Sequence, residues 1–193
     1  DHLWSVQKLR KKNWEVMSTD QIANLLSTTK RQIHVPLFVG NETDADGLPV
    51  NPYLLGALLG DGSLSKNNGI KFSTADQHIL DESRKHGVDF AHHSNYDYGV
   101  LSQKIPMTGL ASSKGERAGK QFTTLGRALE ELGLLGSNSY TKFIPRVYFK
   151  CSNAQKEQLI AGLVDTDGEV STSGGISIST SSQQLAGDIQ RLV

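Results

Sequence analysis

The spacing of apolar and polar positions along the chain changes several times, and each change predicts an element. Leu3 to Val6 and Trp14 to Met17 read as short strands, and Ser18-Thr19-Asp20 offers caps for a helix over about 20–26. Residues 40–51 are loop by composition and mark a boundary. Beyond it, Asn51 is an N-cap and Pro52 a first helical residue for the apolar run Tyr53 to Leu59, which ends in Gly60-Asp61-Gly62. Ile70 to Ser73 is a strand and Asp76 to Lys85 a helix. Tyr96 to Lys104 and the stretch around Phe122 are further strands, and Thr124 to Leu132 is a helix closed by Gly133. Lys142 to Lys150 is extended. Ser152-Asn153-Ala154-Gln155 fits a capping box and opens a helix over 156–164, which runs into Asp165-Thr166-Asp167-Gly168. Ile176 to Thr180 is a half-buried strand, and a last helix covers 183–192.

Two of these segments repeat. Leu54 to Gly62 aligns with Ile160 to Gly168 without a gap, at an offset of 106 residues, and the strand and helix after each also match. That offset exceeds a solenoid period of about 20–50 residues and suits two related subdomains. Gly56 and Gly60 lie four apart on one helix face, as do Gly162 and Thr166 on the other. Small residues at that spacing let two helix backbones approach closely. Packed in parallel, the helices would bring Asp61 and Asp167 side by side just past their last turns. Two carboxylates at the negative ends of two helix dipoles repel each other and call for a hard cation such as Mg²⁺. A single Asp-Gly is an ordinary turn; two copies at equivalent positions, each on an apolar helix, point to a site.

Composition adds limits. The 193 residues are 37% hydrophobic and 21% charged, enough for a core in one domain or two small ones. Cys151 is the single cysteine, which excludes an internal disulfide framework and a cysteine-rich zinc site, and suits a reducing compartment. No apolar run approaches the ~18–20 residues of a membrane span. Net charge is zero, but residues 101–150 carry eight basic and three acidic side chains, so a local positive surface is available. Lys66, Lys71, Lys104, Lys114, Arg117 and Lys120 lie near predicted strands and are candidate phosphate contacts, with plain surface charge as the alternative.

The second copy, Leu159 to Gly168, is close to the signature of the LAGLIDADG homing endonucleases, and the first is a looser form of it. The resemblance covers about 51–193. It implies an α+β fold of pseudo-symmetric αββαββα subdomains, here over 51–150 and, incomplete, over 151–193. The sheets would form a saddle over the major groove of double-stranded DNA, with the signature helices as the central interface. It also implies that Asp61 and Asp167 are catalytic and hold Mg²⁺, with the backbone carbonyls of Gly60 and Thr166 as additional ligands. Asp165 would be a helix-end residue and no ligand. Lys142-Phe143-Ile144-Pro145 resembles the Lys-x-Ile-Pro block of family members embedded in inteins, which makes Lys142 a third catalytic candidate beside its reading as an ordinary strand-end lysine.

Residues 1–50 resemble part of an all-β intein splicing (Hint) domain and its linker. Asp1 to Val6 would be the block whose histidine is His2, and Trp14 to Ile22 the strand and helix that follow. The implied partners are duplex DNA and host-protein exteins, for a cytoplasmic monomer. Asp1 and Val193 are not splice-junction residues, so the segment reads as an internal piece or an incomplete one, expected neither to splice nor to cut as a fragment alone. Three decoys fail. Glu42 to Gly47 lacks the first and twelfth positions of a calcium loop, Gly115 to Gln121 misses the P-loop spacing, and His92-His93 lacks a second ligand pair. Two rival readings are a DNA-binding module of the same fold that no longer cuts, and an autoprocessing element.

Overall fold

A computed structural model of the chain describes residues 2–8, 13–28, 32–36, 43–102 and 123–193. Its contacts divide it into two units, 1–40 and 41–193. The first unit holds β1 (Leu3–Lys8), β2 (Glu15–Ser18), α1 (Thr19–Thr28) and β3 (Ile33–His34). The strands form an antiparallel sheet in the order β2-β1-β3, with Leu3 opposite Ser18 and Lys8 opposite Ile33. Trp4 Nε1 donates to Thr19 Oγ1 at 3.1 Å, and the Thr19 N–H donates to the His2 carbonyl at 3.1 Å, which ties the sheet to the first turn of α1.

The second unit opens with α2 (Pro52–Asp61), β4 (Gly62–Ser65), β5 (Gly69–Ser73), α3 (Gln77–Arg84), β6 (Asp89–Ser94), β7 (Asp97–Leu101) and α4 (Thr124–Glu131). It continues through a 3₁₀ turn, Arg146–Phe149, into α5 (Asn153–Asp167), β8 (Gly168–Val170), β9 (Ile176–Ile178) and α6 (Gln183–Leu192). The first four strands form one antiparallel sheet in the order β4-β5-β7-β6, and β8 and β9 form a separate hairpin.

Every residue of α2 from Pro52 to Leu59 is buried. A helix apolar all round must be enclosed on all sides, and α5 covers one of them. Burial of leucine side chains at roughly 2 kcal/mol each is the main favourable term for this helix pair. Gly56 and Gly162 permit the close approach. A Cβ on Gly56 would stand 2.0 Å from the Leu159 carbonyl oxygen, and one on Gly162 would stand 2.2 Å from that of Tyr53. Farther along, a Cβ on Gly60 would meet Thr166 Oγ1 at 2.0 Å. The contacts advance in the same direction along both helices, so α2 and α5 run parallel and their C-terminal ends meet.

The 106-residue offset persists in the hydrogen bonding. Gly62 pairs with Phe72 and Leu64 with Ile70 in the first hairpin; Gly168 pairs with Ile178 and Val170 with Ile176 in the second. The N-caps of α3 and α6, Asp76 and Ser182, share that offset and nearly the same backbone angles. Burial differs. Leu64 is 1% exposed and joins a core with Leu125, Leu129 and Leu134, whereas Val170 is 65% exposed.

Three sequence expectations change. Asp61 and Asp167 are the last residues of their helices and do not lie past them, and α5 extends through Asp165 and Thr166. Residues 146–149 coil into a 3₁₀ turn inside the segment expected to be extended. The expected strand from Tyr96 ends at Leu101 among the described residues, and the strand expected around Phe122 lies mostly outside them.

Candidate functional site

The two helix ends are built alike. α2 stops at Gly62 and α5 at Gly168, each with extended backbone angles and each donating its N–H to a carbonyl of the last turn, Leu58 and Val164. A Cβ on either glycine would press to 2.4 or 2.3 Å on that same carbonyl oxygen. The chain therefore passes from helix to strand in one step, and Asp61 and Asp167 are held as the final helical residues, half-buried. They stand close: a Cβ placed on Gly60 would be 3.4 Å from Asp167 Oδ2.

Lys142 completes the group. Its side chain is 5% exposed, and Nζ donates to the Gly60 carbonyl at 2.6 Å. Burial pulls the Lys142 ammonium down to about 8 against the attraction of Asp167 and Asp61. Burial also holds both carboxyls above the usual range. For Asp61 the charge of Asp167 adds to this, and Lys142 opposes it for both. One lysine therefore offsets, incompletely, two carboxylates and two negative helix ends. Three segments far apart in sequence meet at this point.

Two clefts adjoin the group. One, of about 970 Å³, is lined by Asp61, Lys66, Asn67, Ser137 and Lys142 among others. The other, of about 340 Å³, is lined by Asp167, Ser139, Ser179, Thr180 and Lys142. Gly60, Ser139 and Lys142 line both.

The donor set fits a hard divalent cation. Both carboxylates are oxygen donors, half-buried and close together at two negative helix ends. Mg²⁺ is commonly held by one or two carboxylates with water and substrate phosphate completing its shell. Among the described residues, no group of three or more His, Cys, Asp or Glu side chains converges as a metal cage. The Gly60 carbonyl already accepts from Lys142, and the Thr166 hydroxyl donates back into its own helix, to Gly162 at 2.9 Å and Leu163 at 3.1 Å.

Of the expected phosphate contacts, Lys71 is exposed on β5, opposite Ser63 and Gly99, and Lys66 is at the Asp61 cleft. Lys104, Lys114, Arg117 and Lys120 lie outside the described residues. His2 is exposed in the first unit, its ring edge-on to Trp4 at 4.6 Å. Asp165, at the surface, accepts from Tyr53 Oη at 2.8 Å and so braces α5 against α2. Sequence reasoning missed Ser182 and Asp188, two buried polar residues of α6 that grip the Lys142 segment. Ser182 stands 106 residues after the α3 cap Asp76, a signal that could have found it; nothing in the sequence singles out Asp188. Among the described residues, no helix is long and apolar enough to cross a membrane.

Residues 154–193, covering nearly all of α5 with β8, β9 and α6, match the family described as a LAGLIDADG-like domain. The chain is also similar to the replicative DNA helicase DnaB of Mycobacterium intracellulare, at 31% identity over 144 residues, 75% of this chain and 18% of the helicase. The chain thus spans less than a fifth of that relative's length.

Proposed function

With residues 154–193 carrying a LAGLIDADG-like domain, we propose that this chain is the endonuclease part of an intein, a site-specific enzyme that cuts both strands of duplex DNA with Mg²⁺. The observation that carries this reading is the convergence of Asp61, Asp167 and Lys142 at the joined ends of α2 and α5. Asp61 and Asp167 would hold the cation, with the Gly60 and Thr166 carbonyls as further donors. Bound there, Mg²⁺ supplies activation of water and stabilisation of the leaving oxygen. Lys142 brings an ammonium to the wall of both clefts, where it would offset the charge that builds up on a phosphodiester under attack. Two clefts sharing one lysine and one carboxylate each suit two scissile phosphates, one per strand. Lys66 and Lys71, with Lys104, Lys114, Arg117 and Lys120, would contact the backbone and set the register on the duplex.

Residues 1–50 would be part of a Hint splicing domain, with His2 as its block histidine and host-protein exteins as the flanks. A chain whose likeness to a helicase covers 18% of that protein is the size relation expected of an insert in such a host. The uninterrupted helicase gene is therefore the first DNA to test. The protein would act as a cytoplasmic monomer.

A second reading is favoured by the exposed second hairpin, where Val170 and Ile176 are 65% and 64% exposed: a LAGLIDADG-type DNA-binding module that does not cut. The experiment is incubation of the chain, with Mg²⁺ or with EDTA, on plasmid carrying the uninterrupted gene segment and on a randomised duplex library. Mg²⁺-dependent double-strand breaks at one sequence support the nuclease. A salt-sensitive gel shift without breaks supports the binding module.

A further inference from the structure

We propose that Ser182 and Asp188 of α6 are positioning residues that aim Lys142 into the acid pair. This rests on the nuclease reading for its purpose and on geometry alone for its substance. Ser182 is 0% exposed; its Oγ donates to the Lys142 carbonyl at 2.6 Å and accepts from the Leu185 N–H at 3.1 Å. Asp188 is 4% exposed; its Oδ2 accepts from the Ile144 N–H at 3.0 Å, and its Oδ1 from Gln184 Nε2 at 3.0 Å. The two side chains grip the main chain on either side of Phe143. The main-chain groups they hold flank the Lys142 side chain and its neighbour, so a shift of this segment would draw Nζ away from the Gly60 carbonyl.

The internal repeat argues that this grip is more than helix capping. At the same offset, α3 has Asp76 where α6 has Ser182, and Glu82 where α6 has Asp188. Asp76 accepts from the His78 N–H at 2.8 Å at the surface, and Glu82 ion-pairs with Lys85. A carboxylate caps a helix as well as a hydroxyl does, but an ionised one has no proton to donate to a carbonyl. Serine at 182 does both. Buried polar groups are costly unless each is bonded, and here each makes one bond within its own helix and one to the segment that carries Lys142.

The test is Nζ-detected NMR of the full chain labelled with ¹⁵N-lysine, at about pH 6 without metal, with the Lys142 signal assigned by its loss in Lys142→Gln. The expected result is a slowly exchanging Lys142 ammonium whose proton exchange quickens at least tenfold in Ser182→Ala and in Asp188→Ala, and is restored in Ser182→Thr. Asp76→Ala, which removes the equivalent cap of α3, should lower stability without moving that signal. If Ser182→Ala and Asp188→Ala lower the melting temperature but leave the Lys142 signal unchanged, α6 is only a capped helix and the proposal is overturned. Should Ser182→Ala fail to fold, Asp188→Ala, which leaves the cap intact, decides alone. On cleavable DNA the same variants should lower kcat about tenfold with duplex Kd unchanged. A Lys142 signal that responds as expected in a protein that never cuts DNA would refute the nuclease reading and leave the positioning intact.

Discussion

Lys142 Nζ reaches the main-chain carbonyl of Gly60 across 82 residues of sequence, at 2.6 Å. The donor comes from the segment after α4 and the acceptor from the last turn of α2, beside Asp61. This bond places a buried cation where two carboxylates and two helix dipoles concentrate negative charge, and each consequence below can be measured.

The helix junction should not tolerate side chains at its glycines. A Cβ at Gly56 or Gly162 would meet backbone of the partner helix at 2.0 and 2.2 Å, and backbone can yield only by parting the helices. Gly56→Ala and Gly162→Ala should each cost about 3 kcal/mol or more in urea unfolding. Gly60→Ala meets the Thr166 side chain instead. Its cost should fall when combined with Thr166→Gly, with a coupling of about 1 kcal/mol or more in a double-mutant cycle.

If Asp61 and Asp167 hold the cation, Asp61→Asn and Asp167→Asn should each reduce Mg²⁺-dependent cutting roughly 100-fold or more. Gel-shift affinity should stay near wild type, because neither carboxylate attracts a phosphate. Cutting at the wild-type rate by both variants would remove them from the mechanism.

The same site should report metal by stability. A ligand bound by the folded state alone raises the melting temperature with its concentration. Mg²⁺ should therefore stabilise the wild-type chain and EDTA reverse the effect, while Asp61→Asn should show little response. Differential scanning calorimetry at several Mg²⁺ concentrations checks this without any DNA.

In EDTA, the acids and the lysine should shape stability against pH in opposite ways. Asp61 and Asp167 titrate higher in the fold than in the open chain, so the folded state binds more protons and stability falls as pH rises above about 4. Lys142 titrates at about 8 in the fold against 10.5 ordinarily, so between those values the unfolded chain holds more protons and stability rises with pH. That rise is at most about 3 kcal/mol, and it should vanish in Lys142→Gln, measured by denaturant titration from pH 7.5 to 10.5.

Tyr53 and Asp165 brace the helices outside the candidate site. Tyr53→Phe removes one hydroxyl and should cost about 1 kcal/mol of stability. It should leave the Mg²⁺ response intact, which separates Asp165 from the acids that would bind metal.

Much of this was readable from the chain. The 106-residue repeat, the small residues four apart and the Asp at each helix end follow from local pattern, and local pattern dictates helix length, caps and the face a helix buries. Asn51 with Pro52, and Ser152 with Gln155, set two helix starts by chemistry contained within four residues. What tertiary structure alone decided was which distant groups share a space. That Lys142 lies under the two helix ends, that Ser182 donates to its carbonyl and that Asp188 is buried against Ile144 depend on the packing of α6 against the 142–144 segment, 40 residues apart in one case and 44 in the other. A serine that caps a helix and a serine that also aims a lysine look alike in sequence. Only the neighbour brought in by the fold tells them apart, because a hydrogen bond is set by distance in space and a sequence records distance along the chain.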